Sequence, residues 1–371
     1  MNAQQVKGYC PGALRPMVSG DGLVVRVRPP AGRLKQDQAA GIAALAMAHG
    51  NGRIDLSARA NLQIRGVREH SYPPLLAGLR DLSLIDESAE SESRRNIIVA
   101  PFWGAGDETV DMAEALAIAL ASEDAPELPG KFGFAVDTGH MPVLQNASGD
   151  IRLERDAGGA LILCAEGAAH GKPVTAQNVV PEAMKLARWF MKSRTTQNRV
   201  ARLLADGATL PAEYTVPRQT QVFDPAPSGA LVAMAFGQIA AETLSALAKQ
   251  GDLRLTPWRM VLVETDDALP KLDGVITDPR DPLLRITACT GAPDCVQAHA
   301  RTRPLARQLA AHLKPDQTLH ISGCAKGCAH PKAAPLTLTA TSEGFDLIRD
   351  GCAHDAPQHR HLSPEDIIKA L

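Results

Sequence analysis

The chain has 371 residues, 45% hydrophobic and 22% charged, which is enough for two or three domains with ample core and ordinary for a globular protein in water. Its formal net charge is -2 and its aromatic content 4%, so it has neither the basic surface that draws polyanions nor the rings to stack bases, and nucleic acid is not an expected partner. No apolar run approaches the ~20 residues that span a bilayer, and MNAQQVKGYCPG lacks a charged-then-apolar leader, so a cytoplasmic location and reduced thiols are expected. Any anionic ligand has to be held by a local cluster of arginines and lysines.

From Leu23 to Arg28, LVVRVR alternates as a strand does. Asp37 to His49 then reads as a helix, with Ile42, Leu45 and Met47 among alanines. RIDLSARANLQIRG predicts two short strands, and the stretch around Leu75 to Leu84 a second helix, completing a β-α-β-β-α unit. The order returns roughly two hundred residues later: ALVAMAF as a strand, Ile239 to Gln250 as a helix, LRLTPWRMVLV as two strands and ALPKL as a short helix. Leu56, Ser57, Ala58 and Arg59 fall on Leu255, Thr256, Pro257 and Trp258, which favours an internal duplication.

Two segments of another kind alternate with these copies. The first opens with SRRNIIVAP, contains LPGKFGFAVDTG and ends in the amphipathic stretch Glu182 to Leu204; the second holds the strand-like LTLTAT. The expected layout is a half-domain at 10–88, a lobe at 91–207, a second half-domain at 220–278 and a second lobe at 281–371. Pro- and Gly-bearing passages at Pro211 to Gly229 and Asp278 to Pro282 suit linkers.

The last segment carries the strongest chemical signal, Cys289 and Cys295 in ACTGAPDC and Cys324 and Cys328 in SGCAKGC. Small residues around them let the backbone bend about a bulky core and turn amides toward its sulfurs, and thiolates suit soft iron. A structural zinc site with four thiolates, in a colourless binding module, is the competing reading. Its pairs usually keep C-x2-4-C spacing, which C-x5-C exceeds.

This layout and these cysteines resemble the sulfite and nitrite reductase family over nearly the whole chain. The resemblance implies an α+β fold, with two ferredoxin-like half-domains pairing into one unit and two α/β lobes related by a pseudo-twofold repeat. It implies that Cys289, Cys295, Cys324 and Cys328 hold a 4Fe-4S cluster. It also implies a tetrapyrrole site in which Arg59 of LSARANLQIRG and Arg95 of SRRNIIV grip ring carboxylates. Guanidinium forks suit that work because they bind carboxylates bidentately. Arg65, Arg68 and Arg94 are assigned no such role.

The family's reductases bind their small oxyanion with a lysine-x-lysine pair, whereas LPGKFGF keeps Lys131 and has Gly133. Losing one of two cationic donors weakens stabilisation where oxyanion charge develops. CPGALRPMVSGDG and SGCAKGCAHP instead resemble the oxygen-using branch of the family, which serves aerobic cobalamin biosynthesis. That branch implies precorrin-3A as substrate, held by Arg59, Arg95 and Lys131. Dioxygen would hydroxylate C20 and a γ-lactone would close from the ring-A acetate. It further implies a non-haem iron beside the cluster and an external donor passing on NADH-derived electrons, since no glycine fingerprint for a nucleotide follows a strand. A sirohaem-dependent sulfite or nitrite reductase is the alternative. The iron's ligands and the catalytic residues are not assigned. His330 reads as a loop cap, His354, His359 and His361 with Cys352 as a solvated tail, and Cys10 and Cys164 as incidental.

Overall fold

A computed structural model describes residues 11–104, 106–139, 141–219 and 229–371, so Cys10 and the start of the predicted 220–278 half-domain lie outside the described residues. The first half-domain comprises β1 (Met17–Ser19), β2 (Gly22–Val27), β3 (Arg33–Leu34), α1 (Gln36–His49), β4 (Arg53–Leu56), β5 (Leu62–Val67) and α2 (Tyr72–Asp81). Helix α1 buries Ala39, Ile42, Ala43 and Ala46, the i, i+3, i+4, i+7 spacing of one helix face. Helix α2 starts on Pro73 and Pro74, whose missing amides cost nothing in a first turn, and buries Leu75 and Leu79 one turn apart.

The first lobe runs through α3 (Ala89–Arg94), β6 (Ile97–Val99), α4 (Thr109–Ala121), β7 (Phe134–Asp137), β8 (Ile151–Arg155), β9 (Leu161–Ala165), β10 (His170–Pro173), α5 (Val179–Ser193), α6 (Val200–Ala205) and β11 (Val216–Pro217). Strands β6, β7 and β8 are parallel, and β8, β9 and β10 antiparallel. The stretch from Glu182 to Leu204 is two helices, because Arg194 leaves the helical region at φ -74, ψ 149.

The second half-domain comprises β12 (Ala230–Ala233), β13 (Gln238–Ala240), α7 (Ala241–Ala248), β14 (Leu253–Leu255) and β15 (Met260–Val263). Three expectations change here. ALVAMAF is a strand only to Ala233, since Ala235–Gly237 form a 3-10 turn. Ile239 lies in β13, not in a helix. ALPKL is not helical, because Pro270 pushes Leu269 out of the α region. The second lobe has β16 (Ile286–Ala288), α8 (Thr302–Leu309), β17 (Leu319–Ser322), β18 (Ala334–Thr341), β19 (Gly344–Gly351), β20 (His359–Leu362) and α9 (Pro364–Ala370). Its strands β16, β17 and β18 are parallel and β18, β19 and β20 antiparallel, the pattern of the first lobe.

Backbone detail follows the repeat. Ala31 (φ 49) and Gly32 (φ 70) correspond to Phe236 (φ 61) and Gly237 (φ 70), and Ala60 (φ 52) to Arg259 (φ 61). A left-handed conformation in non-glycine residues is uncommon, so its recurrence at matched turns marks one backbone used twice. The two copies also exchange strands: β13 pairs with β4, and β3 pairs with β14. Consequently one core runs through both, from Val25, Ile42 and Ile64 to Val232, Leu244 and Val261, while each lobe has a core of its own.

Candidate functional site

The four cysteines sit where parallel strands of the second lobe end, the end at which open α/β sheets bind ligands. Cys289 follows β16 and its N–H donates to Ile321 O at 3.2 Å, while Cys324 and Cys328 lie on the turn after β17. The Gly323 N–H donates to Cys289 Sγ at 3.1 Å, and the Thr302 hydroxyl, opening α8, donates to Cys289 O at 2.7 Å. A side chain at Gly323 would place its Cβ 2.7 Å from Ala298 Cβ and 3.4 Å from Cys289 Sγ, so glycine is needed for the two loops to meet.

Burial raises the Cys328 thiol above its usual range, and Cys324, Cys289 and Cys295 push it further the same way. A cationic core beside Cys328 would reverse that effect and favour its thiolate. Among the described residues no three His, Cys, Asp or Glu close around a point that one metal ion could occupy. Thiolate donors in glycine-lined turns suit soft iron–sulfur chemistry, and the C-x5-C pair exceeds the spacing usual for structural zinc.

A cavity of about 390 Å³ opens beside Cys289 and Cys328, lined by Arg26, Arg59, Arg259 and Arg303 with Asp55. Four guanidiniums thus face one carboxylate, on a floor made by β2, β4 and the turn after β4. Arg59 donates to Lys131 O at 3.0 Å, which brings the loop of LPGKFGF to the cavity rim. Arg259, on its left-handed turn, donates to Ala329 O at 2.9 Å and its pKa is lowered by burial and by Arg303. Arg303 donates to Asp55 Oδ1 at 3.0 Å. Such a concentration of cation in a half-enclosed space suits a ligand with several carboxylates.

Residues 15–82 match the nitrite/sulfite reductase ferredoxin-like half domain. The sequence is 31% identical to a precorrin-3B synthase of Sinorhizobium sp, over 96% of this chain and 85% of that protein. The chain belongs to the precorrin-3B synthase family. Its fold is that of the sulfite and nitrite reductases: the structure of the NirA protein of Mycobacterium tuberculosis aligns with 94% of this chain and 79% of its own at a TM-score of 0.63, with 18% identity.

Within this precorrin-3B synthase family fold, Gly133 is a packing requirement. A Cβ there would lie 2.9 Å from Asn96 Nδ2, 3.2 Å from Asn96 O and 3.4 Å from Arg59 Nη1. A side chain at 133 would need Asn96 to shift, and the Asn96 amide donates to Phe132 O at 2.7 Å.

Arg95 is placed elsewhere. It forks onto both Asp86 oxygens at 2.6 and 2.8 Å and donates to Arg28 O, lining a separate pocket with Pro29 and Ile97. Glu92, three residues before it, accepts from the Ala13 and Leu14 amides of CPGALRP. SRRNIIV and the CPGALRP segment therefore meet through Glu92. Arg65 is no surface residue: its side chain is 6% exposed and bonds Asp21.

Arg26, Arg259 and Arg303 were not picked out from the sequence. Arg26 alternates with buried valines in β2, and Arg259 carries the same left-handed turn that follows Arg59, so the repeat held a signal for it. Arg303, in the first turn of a helix, had none. Cys164 is buried in β9, where desolvation raises its thiol. The C-terminal histidines are not on a loose tail: His359 and His361 belong to strand β20, paired to β19 and followed by α9, whose Ile367 is fully buried. His330 stands edge-on to His320 with ring centres 5.6 Å apart, and its amide closes a turn onto Gly327 O. No helix among the described residues is long and apolar enough to cross a membrane.

Proposed function

We propose that the chain carries out the precorrin-3B synthase reaction, with dioxygen-dependent hydroxylation of precorrin-3A at C20 and closure of a γ-lactone from the ring-A acetate. The observation that carries this reading is the arginine-lined cavity opening directly on two of the four cysteines. Cys289, Cys295, Cys324 and Cys328 would hold a 4Fe-4S cluster, and the substrate's carboxylates would be gripped by Arg59, Arg26 and Arg259, with Lys131 at the rim. A cluster supplies single electrons to the site, and a non-haem iron, whose protein ligands stay unassigned, would supply dioxygen activation.

The chain's own residues would then bind, orient and balance charge. Guanidinium forks fix both the position and the plane of the macrocycle. Asp55 is the one carboxylate lining the cavity. It accepts from Arg303 at 3.0 Å and offsets part of the surrounding positive charge. Gly133 supports oxygen insertion over oxyanion reduction, because it leaves the position of a reductase's second lysine without a cation. Electrons would come from an external donor.

Iron, sulfide and zinc analysis with a visible spectrum tests the assignment first. A broad brown absorption with matching iron and sulfide is expected; an intense haem spectrum points to the reductase alternative, and a colourless zinc protein removes both. Purified protein should then convert precorrin-3A only with reductant and dioxygen, and isotope from labelled dioxygen should enter the product. Efficient sulfite reduction without an oxygen requirement would overturn the synthase reading.

A further inference from the structure

We propose that Arg303 is a ligand-sensing residue: it takes one substrate carboxylate in the cavity and relays occupancy to the loop that carries Cys289 and Cys295. The inference rests on the functional reading above. Arg303 lines the cavity, its side chain is 14% exposed, and Nη2 donates to Asp55. Its Nε is buried and has no hydrogen-bond partner among the described residues. A guanidinium presents five donors in a plane, so this one has an edge to offer. A buried donor without an acceptor calls for an occupant, and a carboxylate that fits the fork is the best one available.

Each end of the cysteine loop bonds a residue that is, or adjoins, an arginine beside Asp55. At the far end, Thr302, adjacent to Arg303, donates to Cys289 O at 2.7 Å and stands 3.9 Å from its Sγ. At the near end, Asp294 O, next to Cys295, accepts from Ser19 Oγ at 2.7 Å, from Gly20 N at 3.0 Å and from Arg65 Nη2 at 3.4 Å. Arg65 in turn lies 3.8 Å from Asp55. Arg65 forks onto Asp21 at 2.7 and 3.1 Å, so Asp55 stands between its donor Arg303 and the already paired Arg65. A ligand carboxylate on Arg303 competes with Asp55 for it and leaves Asp55 to Arg65. That change reaches the loop from both directions. Hydrogen bonds and charges near cysteine sulfurs tune a cluster's electronic properties. By linkage, the ligand's affinity must then differ between the two redox states by the factor it imposes on the cluster.

The test is an anaerobic titration of the iron–sulfur-loaded protein with precorrin-3A, where omission of dioxygen prevents turnover. Affinity and the electron paramagnetic resonance of the reduced cluster are read together for the wild type, Arg303→Gln and Arg303→Lys. Saturation should alter the wild-type resonance. Arg303→Gln should bind about tenfold to a hundredfold more weakly, as loss of a charged hydrogen bond implies, and at saturation keep its ligand-free resonance. Arg303→Lys keeps charge opposite Asp55 without a fork and should show partial binding and a reduced change; it carries the test should the glutamine variant not assemble. Wild-type affinity in the variants, or a full ligand-induced change in them, overturns the proposal. A wild-type resonance indifferent to bound precorrin-3A overturns it too, while leaving the functional reading intact. A wild type with no cluster resonance or no precorrin binding instead refutes that reading.

Discussion

In the second lobe the Cys289 amide, directly after β16, donates to Ile321 O at 3.2 Å; in the first lobe the Ala100 amide, directly after β6, donates to Val136 O at 2.9 Å. Thr302 opens α8 and bonds Cys289 O, while Thr109 opens α4 and shares a 2.7 Å hydrogen bond with Thr138. The backbone plan is therefore common to both lobes, and the side chains at the strand ends decide what each can hold. The second lobe presents thiols. The first presents Ala100, Phe102, Trp103 and Thr138 around a cleft of about 490 Å³.

The floors differ in the same sense. Asp55 on β4 faces the cysteine side, and its counterpart on β14 is Arg254. Arg254 holds Pro101 O at 2.8 Å and Trp103 O at 2.6 Å, with its guanidinium 3.4 Å from the Trp103 ring centre. Arg59, which reaches Lys131 O, is matched by Trp258, stacked on Phe102 at 5.7 Å. One half of the duplicated frame thus sets its cations along the cavity beside the cysteines. The other turns them inward, where they fasten a loop.

Converting one cysteine into a hydroxyl should break the contrast most completely. Cys324→Ser should lose cluster and activity, because a serine oxygen is a poor ligand for iron in this setting, whereas Cys164→Ser, altered inside the first lobe, should keep normal iron and sulfide. Full iron and sulfide in the Cys324→Ser protein would sink the cluster assignment. The two predicted arginines should next part company. Arg59→Ala should weaken precorrin-3A binding by about 1.5–3 kcal/mol with the cluster retained. Arg95→Ala should instead lower stability in denaturant by about 1–3 kcal/mol, since it strands a largely buried Asp86. Equal affinity losses in both would mean that the cavity has been misplaced.

A third comparison uses pH. Asp137 ends β7 where Ser322 ends β17, and burial raises its carboxyl to about 6 although the Val143 and Leu144 amides bond it. A carboxyl whose folded pKa is raised stabilises the fold fully below its unfolded pKa. That contribution fades as pH climbs through about 4 to about 6, by at most ~3 kcal/mol for a shift of this size. Wild type and Asp137→Asn should therefore diverge in unfolding free energy across that window, and parallel profiles would refute the assignment. The smallest effect is expected at the aromatic side. Trp103→Ala should cost about 1–2 kcal/mol for its contact with Arg254, while leaving cluster absorbance and precorrin affinity as they were. A bleached spectrum in that variant would show that the two lobes are not functionally separate.

Much of this molecule is written locally. LVVRVR, the alanine-rich α1 and RIDLSARANLQIRG carry their own periodicities, and the paired cysteines announce their chemistry through residue type and spacing, so strands, helices, repeat and candidate cluster ligands can be read from the chain alone. Proline in ALPKL carried a local warning against helix, whereas Ile239 in β13 did not: its strand exists because β4, from the other half-domain, lies alongside it. The two arginines are harder still, because SRRNIIV and LSARANLQIRG do not say what the fold sets beside them, Asp86 for Arg95 and the cavity at the cysteines for Arg59. Composition and periodicity determined the elements and the thiol donor set. Only the tertiary structure decided which cations line the cavity at the cysteines and which fasten loops elsewhere, because a charge's role depends on neighbours that are distant in the chain and close in space.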